Sequence, residues 1–138
     1  MKRSDQLAPL SRDHHRALAV AMWLRKGAAD APARFAEFWA SDGPRHFAIE
    51  EQALTPELLA SDSEWSAGVA RMAAEHRELE RLAAQLAEGD EQAGHVLGER
   101  LDAHVRFEER ELFPMLEDRA DRELLGRVGA RIVELRSH

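Results

Sequence analysis

Two stretches of this chain carry the same run of metal-binding residue types. His46-Phe47-Ala48-Ile49-Glu50-Glu51-Gln52-Ala53-Leu54-Thr55-Pro56 returns 58 positions later as His104-Val105-Arg106-Phe107-Glu108-Glu109-Arg110-Glu111-Leu112-Phe113-Pro114. Side chains four apart on a helix point the same way, so each copy aims an imidazole and a carboxylate at one target. A nitrogen and an oxygen donor, one turn apart and presented twice, suit a pair of borderline-hard metal ions. A second echo supports the doubling: His15-Arg16-Ala17-Leu18 is followed 61 positions later by His76-Arg77-Glu78-Leu79.

Spacing alone is weak, because His-x-x-x-Glu occurs at 46/50, 76/80, 95/99 and 104/108. Periodicity separates them. His104 shares its stripe with Leu97, Leu101, Leu112 and Met115, so it faces a core, whereas His95 lies half a turn away and pairs with Glu99 in water. His76 falls on the stripe Val69, Met72, Leu79, Ala83 and Leu86; Glu80 reads as a contact around the site rather than a ligand. A buried unpaired charge costs several kcal/mol. His46, Glu50, His104 and Glu108, with no Lys or Arg on their stripes, therefore ask for cations. Position 15 shares a face with Leu18 and Met22, and position 14 with Leu7, Leu10 and Leu18. Periodicity does not choose between them, and the His-Arg-x-Leu echo favours His15, leaving His14 around the site or at the surface.

Helices must position these groups. The sequence is rich in Ala, Leu, Glu and Arg with a 3.6-residue period, and strand signals are missing. The first helix is expected from about 11, capped by Ser11, to 29. A second runs from about 32 to 54, kinked at Gly43-Pro44, with a loop at Pro56 and 61–63. A third spans about 64 to 88, stopped by Gly89, and a fourth about 91 to 117, bent by Pro114. A shorter amphipathic helix over about 121–136 is expected outside the others or at an oligomer contact. The fold class is all-α: an up-down-up-down antiparallel four-helix bundle over about 10–118, within one domain of 138 residues. At helical rise, His76 and His104 fall at one depth, and so do His15 and Glu50.

Composition removes several classes of function. The net charge of −7 argues against a nucleic-acid partner. No apolar run approaches the roughly 20 residues needed to span a bilayer, and no apolar stretch follows Met1-Lys2-Arg3; the cytoplasm is the expected compartment. With no cysteine and no tyrosine, thiolate ligands, disulfides and a tyrosyl radical are ruled out.

The set His15, His46, Glu50, His76, His104 and Glu108, with its Glu-Glu-x-x-Leu-x-Pro endings, resembles the hemerythrin-like (HHE cation-binding) domain over about residues 10–118. That resemblance implies a four-helix bundle around a non-heme di-iron centre. His15 and His46 would serve one iron and His76 and His104 the other, with Glu50 and Glu108 bridging. Two departures set the chain apart from oxygen carriers of the family. Met72 stands where they place a fifth His, and Glu108 follows its His by four residues where they use an Asp at five. The resemblance then implies a protein that senses or handles oxygen, nitric oxide, peroxide or iron, not a dedicated oxygen carrier. A di-iron oxidoreductase or peroxidase, or a structural bundle binding zinc adventitiously, are the alternatives, and manganese is a further candidate metal. Two carboxylates against two ferrous ions leave positive charge for an oxo or hydroxo bridge or for a further carboxylate, with Glu111 the candidate. Expected partners are a small diatomic or peroxide ligand, and a homodimer or separate signalling chain is compatible with the sequence.

Overall fold

The computed structural model describes residues 2–61 and 65–137, and these are helical with no strand. Helix α1 (Ala8–Lys26) starts with Pro9 in its first turn, where a missing N–H costs nothing. It therefore begins one turn before Ser11, whose hydroxyl donates instead to Glu109 Oε2 at 2.7 Å. It ends at Gly27, whose φ of 69° lets the chain reverse.

The expected second helix is two. Helix α2 (Ala31–Ser41) and helix α3 (Gly43–Ser61) meet at Asp42. Pro44 has no N–H for the preceding turn, and the Trp39 ring lies where a side chain at Gly43 would stand. Pro56 does not open a loop: α3 runs through it. Of the loop expected at 61–63, residues 62 and 63 lie outside the described residues. Helix α4 (Ser66–Ala87) leads to Gly89, at φ 97°. Helix α5 (Glu91–Phe107) is capped by the Asp90 carboxylate, which accepts from the Gln92 and Ala93 amides at 3.1 and 3.2 Å.

The bend expected at Pro114 arrives earlier and by another device. Residues Glu108–Leu112 form one π-helical turn, in which the Phe113 amide returns to the Glu108 carbonyl five residues back. Helix α6 (Phe113–Arg119) follows, with Pro114 harmless in its first turn. Helix α7 (Arg122–Arg136) is capped by Asp121. It is not an outer appendage, because Leu124, Val128 and Ile132 are buried with Leu7, Leu10, Leu54, Leu58 and Trp65.

Helix α1 packs on α5, α5 on α4, and α3 on both α4 and α7. Two apolar clusters result. One gathers Leu10, Met72, Leu112 and Phe113, and the other Ala17, Phe47, Leu79 and Leu101. On α1, α4 and α5 a histidine sits between a residue of one cluster and a residue of the other. The six buried polar residues therefore form a layer between two dry regions. No described helix is long and apolar enough to cross a membrane.

Candidate metal centre

That layer holds His14, His46, Glu50, His76, His104 and Glu108, the buried polar or charged residues among those described. They divide into two overlapping groups, His14-His46-Glu50-Glu108 and Glu50-His76-His104-Glu108, whose donor atoms lie within 4.8 Å of one another in each group. The carboxylates are shared in a specific way. Glu50 turns Oε2 toward His46 Nε2 (3.2 Å) and His14 Nε2 (3.7 Å), and Oε1 toward His76 Nε2 (3.0 Å). Glu108 turns Oε1 toward His14 Nε2 (2.9 Å) and Oε2 toward His104 Nε2 (3.3 Å) and His76 Nε2 (3.7 Å). Each carboxylate thus gives one oxygen to each histidine pair.

His15 is corrected by this arrangement. It is exposed and outside both groups, and His14 stands in its place. The buried stripe of α1 is Leu10, His14, Ala17, Ala21 and Leu24, spaced by four and three residues. Position 15 lies about 100° around the helix from position 14. The readable signal was a different echo: Asp13-His14 matches Glu75-His76, an acid before each histidine, whereas His-Arg-x-Leu matched a surface arginine. His76 and His104 are buried as their stripes implied, and His46, Glu50 and Glu108, singled out by the repeat, are buried with them.

Four acids hold the imidazoles from outside the cluster, a role the sequence reading did not assign them. His14 Nδ1 meets Glu109 Oε2 at 2.7 Å and His46 Nδ1 meets Asp13 Oδ2 at 3.0 Å. His76 Nδ1 meets Glu51 Oε2 and His104 Nδ1 meets Glu75 Oε1, both at 2.7 Å. An ionised carboxylate only accepts, so each Nδ1 carries the proton and donates it outward. Each Nε2 is thereby turned inward and left as a donor atom for a cation. The second Glu of each Glu-Glu pair and the acid before each α1 or α4 histidine do this work, always toward a neighbouring helix.

A cation suits this donor set. Nε2 of His14 and His46, and both oxygens of Glu50 and of Glu108, are buried without a hydrogen-bond partner. Nε2 of His76 and of His104 face each other at 3.1 Å, two lone pairs that need a proton or a metal ion between them. Protons do the job in the metal-free chain. Burial alone would depress the His46 pKa, but the negative charge of Glu50 and the bond to Asp13 lift it to about 9. Against the same opposing effect of burial, the facing carboxylates of Glu108 and Glu50 lift His76 to about 9. The charge of Glu108 carries His104 to about 10. His14, opposed by burial, is raised well above 6.5 by the facing carboxylates of Glu108, Glu109 and Glu50. Burial and repulsion from Glu50 push Glu108 up, yet His104 and His14 bring it down to about 2. Glu50, likewise opposed by burial, is held well below its ordinary value by His46, His14 and His76.

The remaining candidates stay outside. Glu111 is 63% exposed, near Arg71, so it offers no further carboxylate to the cluster. Glu80 pairs with Arg77 at 2.7 Å at the surface, and His95 with Glu99 at 2.7 Å. Met72 is fully buried in the apolar cluster with Leu10 and Phe113. Trp65 is a core residue, while Trp23 and Trp39 cover the second cluster from its edge.

The hemerythrin HHE cation-binding domain model matches residues 6–116. The chain belongs to that family. Searches of curated proteins and of solved structures gave no significant match. The hemerythrin-domain match takes in all six buried donors and all four outward carboxylates, and stops short of α7.

Proposed function

We propose that this hemerythrin-family chain holds a pair of iron ions, one served by His14 and His46, the other by His76 and His104, with Glu50 and Glu108 bridging. The observation that carries it is the division of both carboxylates, one oxygen to each histidine pair. Mixed imidazole and carboxylate donors suit iron better than a zinc site closed by four ligands of its own. We also read the helices as an up-down-up-down antiparallel four-helix bundle. This reading rests on the packing of α1 on α5, α5 on α4 and α4 on α3, and on short connections.

Iron in such a site supplies redox chemistry toward small ligands. The chain's own residues limit what reaches it. A cavity of about 10 Å³, lined by Ala17, Phe38, Phe47 and Leu101 beside His14, His46 and His104, has room for a water-sized molecule. This supports oxygen, nitric oxide or peroxide as the ligand class, in a sensing or handling role. With Met72 apolar and buried, the His76 half has two imidazoles and no third, which argues against reversible oxygen carriage.

Elemental analysis with an optical spectrum tests the reading. Two irons per chain and the near-ultraviolet absorption of a coupled ferric pair are expected; a colourless protein holding zinc alone would refute it. Turnover of peroxide or nitric oxide then distinguishes an enzyme from a sensor.

A further inference from the structure

Each outward carboxylate has a guanidinium on its far side, so four chains of histidine, acid and arginine radiate from the centre. Asp13 Oδ2 takes both His46 and Arg136, the latter at 2.6 Å. Glu109 takes His14 on Oε2 and Arg3 on Oε1, at 3.2 Å. Glu51 Oε2 takes His76 and Arg77, at 2.6 Å, and Glu75 takes His104 on Oε1 and Arg71 on Oε2, at 2.8 Å.

The two halves obtain their arginines differently. Arg71 and Arg77 both come from α4, the helix of His76, and Arg71 reaches an acid only four residues along it. Their side chains are 49% and 58% exposed. Arg3 and Arg136 lie outside the family-matched residues 6–116, on opposite flanks, and are 20% and 37% exposed. Charge-assisted bonds screened from water hold their partners more firmly. Both flanking arginines are also held in place. Arg3 reaches Glu117 at 2.5 Å, and donates at 2.8 Å to the Glu109 carbonyl. That carbonyl is free because Pro114, five residues on in π spacing, has no N–H to give it. The Arg136 carbonyl accepts from Arg45 at 2.6 Å, and Arg45, Arg136, Asp13 and His46 line a hollow of about 100 Å³.

We propose that Arg3 and Arg136 are positioning residues that lock the His14/His46 half of the centre, so that metal retention in this half depends on the two flanking segments and retention in the His76/His104 half does not. The proposal rests on the two-ion reading. Its logic is rotational. An acid pinned on both sides cannot swing to water, and the imidazole it holds keeps Nε2 aimed inward. Without the guanidinium, the acid turns and the ring follows.

The test uses the full chain loaded with zinc, which is diamagnetic, and reads release to EDTA together with the ring Nδ1–H resonances. Loss of an outer partner commonly costs 10–100-fold in affinity, so Arg136→Gln should release one of two ions roughly tenfold faster and leave the other unchanged. Its His46 Nδ1–H should exchange faster while the His76 and His104 signals stay put. Arg3→Gln should act on the same half through His14, giving a second variant should Arg136→Gln loosen α7. Arg136→Lys should restore most of the retention. Arg71→Gln and Arg77→Gln, which remove side chains that are already 49% and 58% exposed, should shift release by less than about threefold. Equal acceleration of both ions in Arg136→Gln and Arg3→Gln, or effects as large from Arg71→Gln, would overturn the proposal while leaving the two-ion reading intact. A wild-type chain that takes up no second ion would overturn that reading itself.

Discussion

The His46 and His104 copies of the motif deliver the same side chains from different backbones. In the first copy the helix breaks before the histidine, at Asp42, and then runs as a regular α-helix through Glu50, Glu51 and Pro56. In the second, α5 is unbroken up to the histidine, and the irregularity comes after it, as the π turn Glu108–Leu112. Both place the first Glu inward and the second against a histidine of another helix. A proline follows each, and only the second copy accommodates it at a helix start. What the two copies hold in common is where donor atoms end up, not the helix that carries them; π turns are frequent at functional sites.

The largest test of that equivalence is removal of each carboxylate. Glu50→Ala and Glu108→Ala should both lose at least one metal ion per chain by elemental analysis, since each acid serves both histidine pairs. Full loading in either variant would break the equivalence of the copies. Nearly as large is the contrast on α1: His14→Ala should lose metal, while His15→Ala and His95→Ala should keep it, both being exposed.

Protons sharpen the comparison next. His46, His76 and His104 are raised to about 9, 9 and 10, and His14 well above 6.5, so the metal-free cluster holds protons at pH 7. A metal needs neutral imidazole, so loading divalent ions at that pH should release protons, measurable in weakly buffered solution. The stability signs follow. A histidine raised above 6.5 stabilises the metal-free fold below pH 6.5, and that contribution is lost as pH climbs through 9 to 10. Glu108, lowered from 4.5, contributes above that pH and loses the contribution as pH falls toward 2, and Glu50, also lowered, acts in the same direction. Metal-free protein should therefore melt lower at pH 9.5 than at pH 6, and metal-loaded protein should gain relative to it over that span. Parallel pH profiles for the two forms would show that the ions do not replace these protons.

The smallest expected effect lies in the prolines. Pro56 sits inside α3 and leaves the Gln52 carbonyl without its intrahelical donor, whereas Pro114 sits in the first turn of α6. Pro56→Ala should stabilise the chain by about 1–3 kcal/mol in urea unfolding, and Pro114→Ala by clearly less. A reversed order would mean the π turn does not relieve its proline as argued.

Much of this protein is determined along the chain. The doubled His-x-x-x-Glu-Glu, the helical period and the core stripes are local patterns, and they place His46, Glu50, His76, His104 and Glu108 without knowledge of any neighbour. The α5 cap at Asp90 and the stop at Gly89 are equally local. Three features waited for the tertiary structure. Position 14 or 15 could each join an apolar face of α1, and only the packing of α1 against α5 decided for His14. The route past Pro56 and the π turn before Pro114 depended on which buried contacts outweighed a lost backbone bond. The outward acids Asp13, Glu51, Glu75 and Glu109 each serve a histidine on a different helix. A sequence specifies which faces a helix offers, because side chains three and four apart share a side. Which face meets which, and so which acid reaches which imidazole, is settled only when the helices close around a shared core.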